Sequence, residues 1–334
     1  MSFIVNGADW SFEGISPDEV EQRIDRALAF IETSRERGEA VLIGDDFQTR
    51  PMHGQATLWD LFSPNSPLPL SQELAQELSA WLMRAPYYAD SDPWPTGFDD
   101  ELISIGDAQP MNNIDLAWVH YSIRCGVPSA SLTLGTTNVI VTRTASANVE
   151  THFVSDESGR TRFWRDMIDL DGDTFESFLR LASRAYPDLH FIEGVLTGAD
   201  HHLAGGYLAL RKRIQLALAV LNDWGSWVFT SPPPAIAPGE PTMHDNATSP
   251  TNQLIERRFA GLGMTAAPEN PNVRAHKASR EARETILSGR TLFCEWHIKL
   301  EPHQNRVHFH KPVAESNNKV VVGMIHEHLP LPGH

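Results

Sequence analysis

Seven acid–base and cationic side chains crowd the last 45 residues, at spacings that place them on one side of short strands. In residues 292–300 (LFCEWHIKL), alternation sends Cys294, Trp296, Ile298 and Leu300 one way and Glu295, His297 and Lys299 the other. In residues 306–310, Val307 and Phe309 face one side, and Arg306, His308 and His310 the other. A polar turn over 315–318 leads into a third strand over 319–326. If the apolar faces align, the far face gathers Glu295, His297, Lys299, Arg306, His308, His310 and Lys319.

Three kinds of chemistry suit such a face. Imidazoles titrate near neutrality, so His308 with Glu295 can move protons while Arg306 and Lys299 stabilise a phosphorane-like charge, His297 and His310 assisting. The same histidines can ligate a metal. His308 and His310 stand at i, i+2, with Glu295 or His297 to complete the shell. Thirdly, the face can simply be solvated. A hairpin that pairs His310 with Lys319 puts His308 opposite Val321, Arg306 opposite Gly323 and His303 opposite His326. In that register Gly323 leaves backbone space beside Arg306 for a ligand. It also separates the second imidazole pair, His326 and His328, from the first.

The elements that must carry this face are legible upstream. Ser16-Pro17-Asp18-Glu19 reads as a helix N-cap with proline in the first turn, followed by Val20, Ile24, Leu28 and Ile31 at helical spacing. Residues 40–44 form a buried strand. A helix from about Ser71 shows Leu74, Leu78, Trp81 and Leu82 on one face. Strands over 130–134, 138–144 and 149–155 form a meander, a strand covers 189–192, and a helix runs from about 207 to 221. Residues 278–287 form a short helix that brings Arg280 and Arg283 toward the C-terminal strands as substrate-binding cations. The class is α+β, because no regular βαβ alternation appears. Three parts follow: an acidic body over 1–230, a proline-rich linker over 231–252, and a C-terminal helix-plus-sheet domain over 253–334.

Charge is divided the same way. Residues 251–334 hold 11 Lys+Arg and 8 Asp+Glu, whereas the first 250 hold 16 and 35, balances of +3 and −19. The acidic body disfavours non-specific nucleic-acid binding and points to a protein partner, leaving the C-terminal part as the one place for a polyanion. Two cysteines give no disulfide framework, and no secretory signal or apolar span is visible, so a cytoplasmic protein without membrane attachment is expected. Phosphate-loop, dinucleotide and serine-hydrolase motifs do not occur. Asp169-Leu170-Asp171-Gly172-Asp173 has Arg180 where a calcium loop needs glutamate, so it reads as a turn before a helix.

On the strands over 293–300, 306–310 and 319–325, the C-terminal part resembles the RelE/ParE type of bacterial toxin. Lys299, Arg306 and His308 stand at matching kinds of position. The resemblance implies a small antiparallel sheet with a polar working face, and either metal-free cleavage of messenger RNA on the ribosome or action on gyrase. The expectation is therefore a metal-free ribonuclease, needing no cofactor, that meets RNA or the ribosome through this sheet while the acidic body regulates it. Two alternatives stay open. One is a non-enzymatic subunit of a multiprotein bacterial system, an antiviral one among them. The other is a metal-dependent hydrolase built on the histidines.

Overall fold

A computed structural model describes residues 2–63, 65–90, 102–231 and 249–332. The chain forms two compact units, Met1–Met167 and Ile168–His334. The class is α+β, with helices throughout and a largely antiparallel sheet at the C-terminal end.

The first unit is built on β1 (Ser2–Val5), α1 (Pro17–Glu36), β2 (Ala40–Leu42), a small hairpin of β3 (Pro51–His53) and β4 (Ala56–Thr57), α2 (Gln72–Leu82), β5 (Ser104–Ile105), α3 (Ile114–Arg124), β6 (Ser129–Leu132), β7 (Asn138–Arg143), β8 (Asn148–Val154) and α4 (Glu157–Leu170). Six strands form one sheet in the order β2-β1-β6-β8-β7-β5. The first four are parallel and the last two antiparallel. Helix α1 begins as expected: the Ser16 hydroxyl accepts from the Glu19 amide, Pro17 occupies the first turn, and Val20, Ile24 and Leu28 are buried. Alternation along β1 sends Phe3 against Phe30 of α1 and Phe163 of α4, and Ile4 against Trp118 and Val119 of α3. Helices therefore cover both faces.

The expected meander is corrected here. Strand β8 inserts between β6 and β7, pairing parallel to the former and antiparallel to the latter. Residues 151–154 are buried on both faces, which suits an inner strand and not a meander edge.

The second unit contains α5 (Phe175–Ala185), β9 (Leu189–Phe191), α6 (Gly198–His201), α7 (Gly206–Val228), α8 (Asn252–Gly261), β10 (Ala266–Pro268), α9 (Pro271–Ala275), α10 (Lys277–Glu281), β11 (Glu284–Leu287), β12 (Arg290–Phe293), β13 (Trp296–Lys299), β14 (Arg306–His310) and β15 (Val320–His326). Its main sheet runs β10-β13-β14-β15-β9, antiparallel except for the β15–β9 pair. That parallel pair, Val320–Val322 against Leu189–Phe191, joins residues 168–230 to the C-terminal sheet. The division of the chain therefore falls near 167, ahead of the expected linker, most of which (232–248) lies outside the described residues.

One face of this sheet packs on α7 and α8, through Phe229 against Trp296 and Phe259 against Phe309. The buried Arg258 guanidinium donates to the Val228 carbonyl and ties α8 to the end of α7. The other face, expected to be open, is covered. Arg283, anchored to the Ser279 carbonyl of α10 and paired with Glu269, and the β11–β12 hairpin cover it, with Leu287 and Leu292 packed on Val321. Two expectations change accordingly. The helix over 278–287 stops at Glu281 and becomes β11, and the strand over 292–300 is two strands, broken at Cys294 and Glu295.

Candidate metal centre

Pairing register assembles the site. His297 of β13 lies directly opposite His308 of β14 on one side and Ala267 of β10 on the other. Two residues beyond Ala267, Glu269 continues the edge, its amide donating to the Glu295 carbonyl at 2.7 Å. Residues two apart share a face, so its carboxylate lands beside both imidazoles. Glu269 Oε1 stands 3.1 Å from His297 Nδ1 and 3.3 Å from His308 Nδ1. The other oxygen, Oε2, lies 3.0 Å from Arg283 Nε. Arg283 also donates through Nη1 to the Ser279 and Pro330 carbonyls, which fixes it between the covering helix and the C-terminal segment.

The cluster is enclosed. Side-chain exposure is 6% for Glu269, 11% for His297 and 1% for His308, so the open side is that of His297. Burial raises the carboxyl group's pKa, but the two imidazoles outweigh it and hold Glu269 well below the usual carboxylate range. For His308 burial wins over the attraction of Glu269 and pushes the imidazole down to about 4, so the ring is neutral at pH 7. Neither ring nitrogen of His308 makes a hydrogen bond among the described residues. At Nδ1 the approach to Oε1 is short but the geometry of a hydrogen bond is not met. The neutral ring keeps a lone pair on one of its nitrogens, and its Nδ1 stands 3.3 Å from a carboxylate oxygen in a buried place.

That separation has a natural occupant. Ligands bound tetrahedrally at 2.0–2.1 Å stand about 3.3 Å apart. Glu269, His297 and His308 each offer one ligand atom, and the three atoms lie within 4.8 Å of one another. Arg283 on the second carboxylate oxygen leaves Oε1 aimed at the imidazoles, as outer partners of metal ligands do. Three protein ligands leave a coordination position open, which distinguishes catalytic zinc sites from closed structural ones.

The other sequence-derived residues are distributed as follows. Lys299 and Arg306 pair directly across β13 and β14, one step along the same face from His297 and His308. Both are partly buried, and neither side chain has an ion-pair partner among the described residues. Burial lowers the Arg306 pKa, with Arg283 adding repulsion and Glu269 opposing it. Glu295 sits in the break between strands, 3.8 Å from Arg274, and is not part of the cluster at His297 and His308. His310 Nδ1 meets its neighbour's carbonyl, Lys311 O, at 2.7 Å. Lys319 Nζ donates to the Pro187 carbonyl, and Arg280 Nε to Glu284. Arg283 joins the cluster, through the carboxylate and not at an exposed surface.

The register also differs from the expected hairpin. Arg306 pairs with His326 and His308 with Met324, with a bulge before Phe309 that leaves Gly323 unpaired. A Cβ on Gly323 would stand 2.1 Å from Cys294 Sγ, so its open space is filled by that buried thiol. Burial, helped by Glu269, pushes Cys294 up to about 12.

Glu269 escaped the sequence reading. It stands in Ala266-Ala267-Pro268-Glu269-Asn270-Pro271, with no periodic strand around it and 28 residues before His297. Its one local signal is a single acid between a short apolar run and the Asn270-Pro271 helix start. No protein-family model matches the chain, and no curated protein or solved structure matches it either.

Proposed function

We propose that the second unit is a metal-dependent hydrolase acting on a phosphate ester, with Glu269, His297 and His308 holding a divalent transition metal. The buried imidazole of His308, without a hydrogen bond and facing Glu269 Oε1, carries this reading. A neutral ring is the ligating form, and burial keeps it neutral. The bound ion would activate water at the position the three side chains leave open. Lys299 and Arg306, adjacent cations on neighbouring strands, would hold the phosphate beside it. Like charges directly opposite in a sheet repel, and an anion between them removes that cost.

This reading replaces the metal-free nuclease as the leading one, because the pair assigned to acid–base work is separated. His308 lies under the cover, whereas Glu295 is engaged near Arg274. The substrate class stays that of a phosphate ester, RNA included.

The test is metal content together with hydrolysis of bis(p-nitrophenyl) phosphate and RNA by the full chain, with and without EDTA. About one equivalent of Zn²⁺, Mn²⁺ or Fe²⁺ per chain, lost in Glu269→Gln and His308→Gln, is expected. EDTA should abolish turnover, and Lys299→Ala/Arg306→Ala should raise KM while metal is retained. A folded chain that takes up no metal refutes the centre. EDTA-resistant hydrolysis returns the case to acid–base chemistry, and a metal-loaded chain without turnover reduces the proposal to metal binding.

A further inference from the structure

In the first unit, α1 and α2 flank a groove of ≈590 Å³ at the outer sheet edge, where β2 is the last strand. Leu28, Val41 and Trp81 form an apolar floor, and the small Ala29 and Ala80 stand at its lips. A second, shallower hollow lined by Glu21, Ser71 and Leu74 shares Asp25 and Glu77 with it, so the two are continuous. From Glu21 to Arg35 the depression follows about 21 Å of α1, close to four helical turns.

Charge along the groove is uneven. Glu21, Asp25, Glu73 and Glu77 border one end. Asp25, Glu73 and Glu77 have no ion-pair partner among the described residues, and Glu21 accepts only the Ser71 amide. At the other end Arg35 is neutralised by Glu32, and Arg84 Nε donates to the Ala80 carbonyl. Unpaired charge among the described residues is therefore negative at the end bordered by Asp25, Glu73 and Glu77, and a single unpaired cation, Arg84, stands at the other.

We infer that this groove docks a basic amphipathic helix of a protein partner. The walls present residues at i, i+3 and i+4 spacing, with Asp25, Ala29 and Glu32 on α1 and Glu77 and Ala80 on α2. Such rows form the ridges and grooves into which a third helix packs, and the two alanines let its axis come close. A basic face on that helix pairs with Asp25 and Glu77 while its apolar side chains reach Leu28 and Trp81. Addition of a strand at β2 is the poorer fit. Ile43 already exchanges backbone hydrogen bonds with Pro86 and Tyr88, which closes that edge at one end.

The probe is a fluorescein-labelled synthetic amphipathic helix of about 15 residues, leucine on one face and lysine on the other. Anisotropy with the full chain should show saturable binding that weakens with added salt. Asp25→Lys/Glu77→Lys should lower affinity about tenfold or more, at unchanged melting temperature. Ala29→Trp, which fills the trough, should abolish binding without changing the charge. Equal affinity for a lysine-to-glutamate peptide, or binding unchanged in both variants, overturns the inference. Binding of dodecylamine but not of the peptide also overturns it, in favour of a small cationic amphiphile. The site is independent of the metal centre, so neither result decides the other.

Discussion

Both units bury a carboxylate against an arginine, and Asp115 and Glu269 are finished differently. In the first unit Asp115, at the start of α3, accepts from the Gly7 amide at 2.9 Å, the Tyr88 hydroxyl at 3.0 Å and the Arg50 guanidinium. Its two oxygens thus have three donors, none of which is a lone-pair ligand. Burial, with Asp115 itself, raises the Tyr88 pKa and keeps that hydroxyl a donor. In the second unit Glu269 has an arginine on one oxygen and two imidazoles on the other, one of them unbonded. A network complete in itself holds a fold together. One that converges on a point and stops short leaves room for something else. Burial and charge alone do not separate these two carboxylates; the imidazole left without a hydrogen bond beside Glu269 does.

The largest effect should come from Asp115→Ala. It leaves Arg50 and Tyr88 facing an empty buried place, and about 3–5 kcal/mol of stability should be lost in urea unfolding. Added metal should not restore it. If zinc did rescue this variant, the distinction between the two carboxylates would fail.

Next comes acid. A depressed imidazole pKa means that the unfolded chain takes up a proton near pH 6.5 while folded His308 waits until about 4. Stability therefore falls as pH drops through that window, by at most about 3 kcal/mol from this residue. Glu269 has a depressed carboxylate pKa, so its contribution is present above the unfolded value and is lost as pH falls below about 4.5. His152 of the first unit, also pushed down to about 4 by burial, acts in the same direction as His308. Urea midpoints from pH 7 to 4.5 should show a shallower decline in His308→Gln than in the parent. Bound zinc should steepen the decline, since protons compete with metal for the ring. An identical slope in the variant would remove His308 from the account.

A smaller effect is expected at the bulge. Gly323→Ala drives a methyl group into Cys294 Sγ and should cost about 1–3 kcal/mol. Cys294→Ala should relieve most of it, and a double-mutant cycle measures the coupling. The smallest stability effect belongs to Lys299→Ala. Removing one of two facing cations should raise thermal stability by a few tenths of a kcal/mol in the absence of an anion, and lower phosphate-induced stabilisation. Loss of stability instead would show that the pair is already neutralised.

Much of the second unit's framework was legible. Alternation located the strand at 306–310 and placed His297 and His308 on one side, where they meet, and the polar turn over 315–318 marked the strand expected at 319–326, which begins at Val320. Helix α1 followed from its cap and apolar spacing, and α2 from its stripe of Leu74, Leu78, Trp81 and Leu82. The failures share a cause. Glu295 follows the alternation of a continuous strand, but the chain turns there from one sheet to another, and a local pattern does not register a change of sheet.

What the sequence determined by itself is therefore local: helix starts, strand positions, the side of a strand on which a histidine falls, and the segregation of charge. These rest on backbone periodicity and on capping, which involve residues a few positions apart. The tertiary structure alone decided which strands became neighbours, that the polar face would be covered, and that Glu269 would reach the histidines. Those outcomes depend on pairing register and on burial between segments distant in the chain. A single carboxylate in an irregular stretch carries no periodic signal until a partner strand fixes its place.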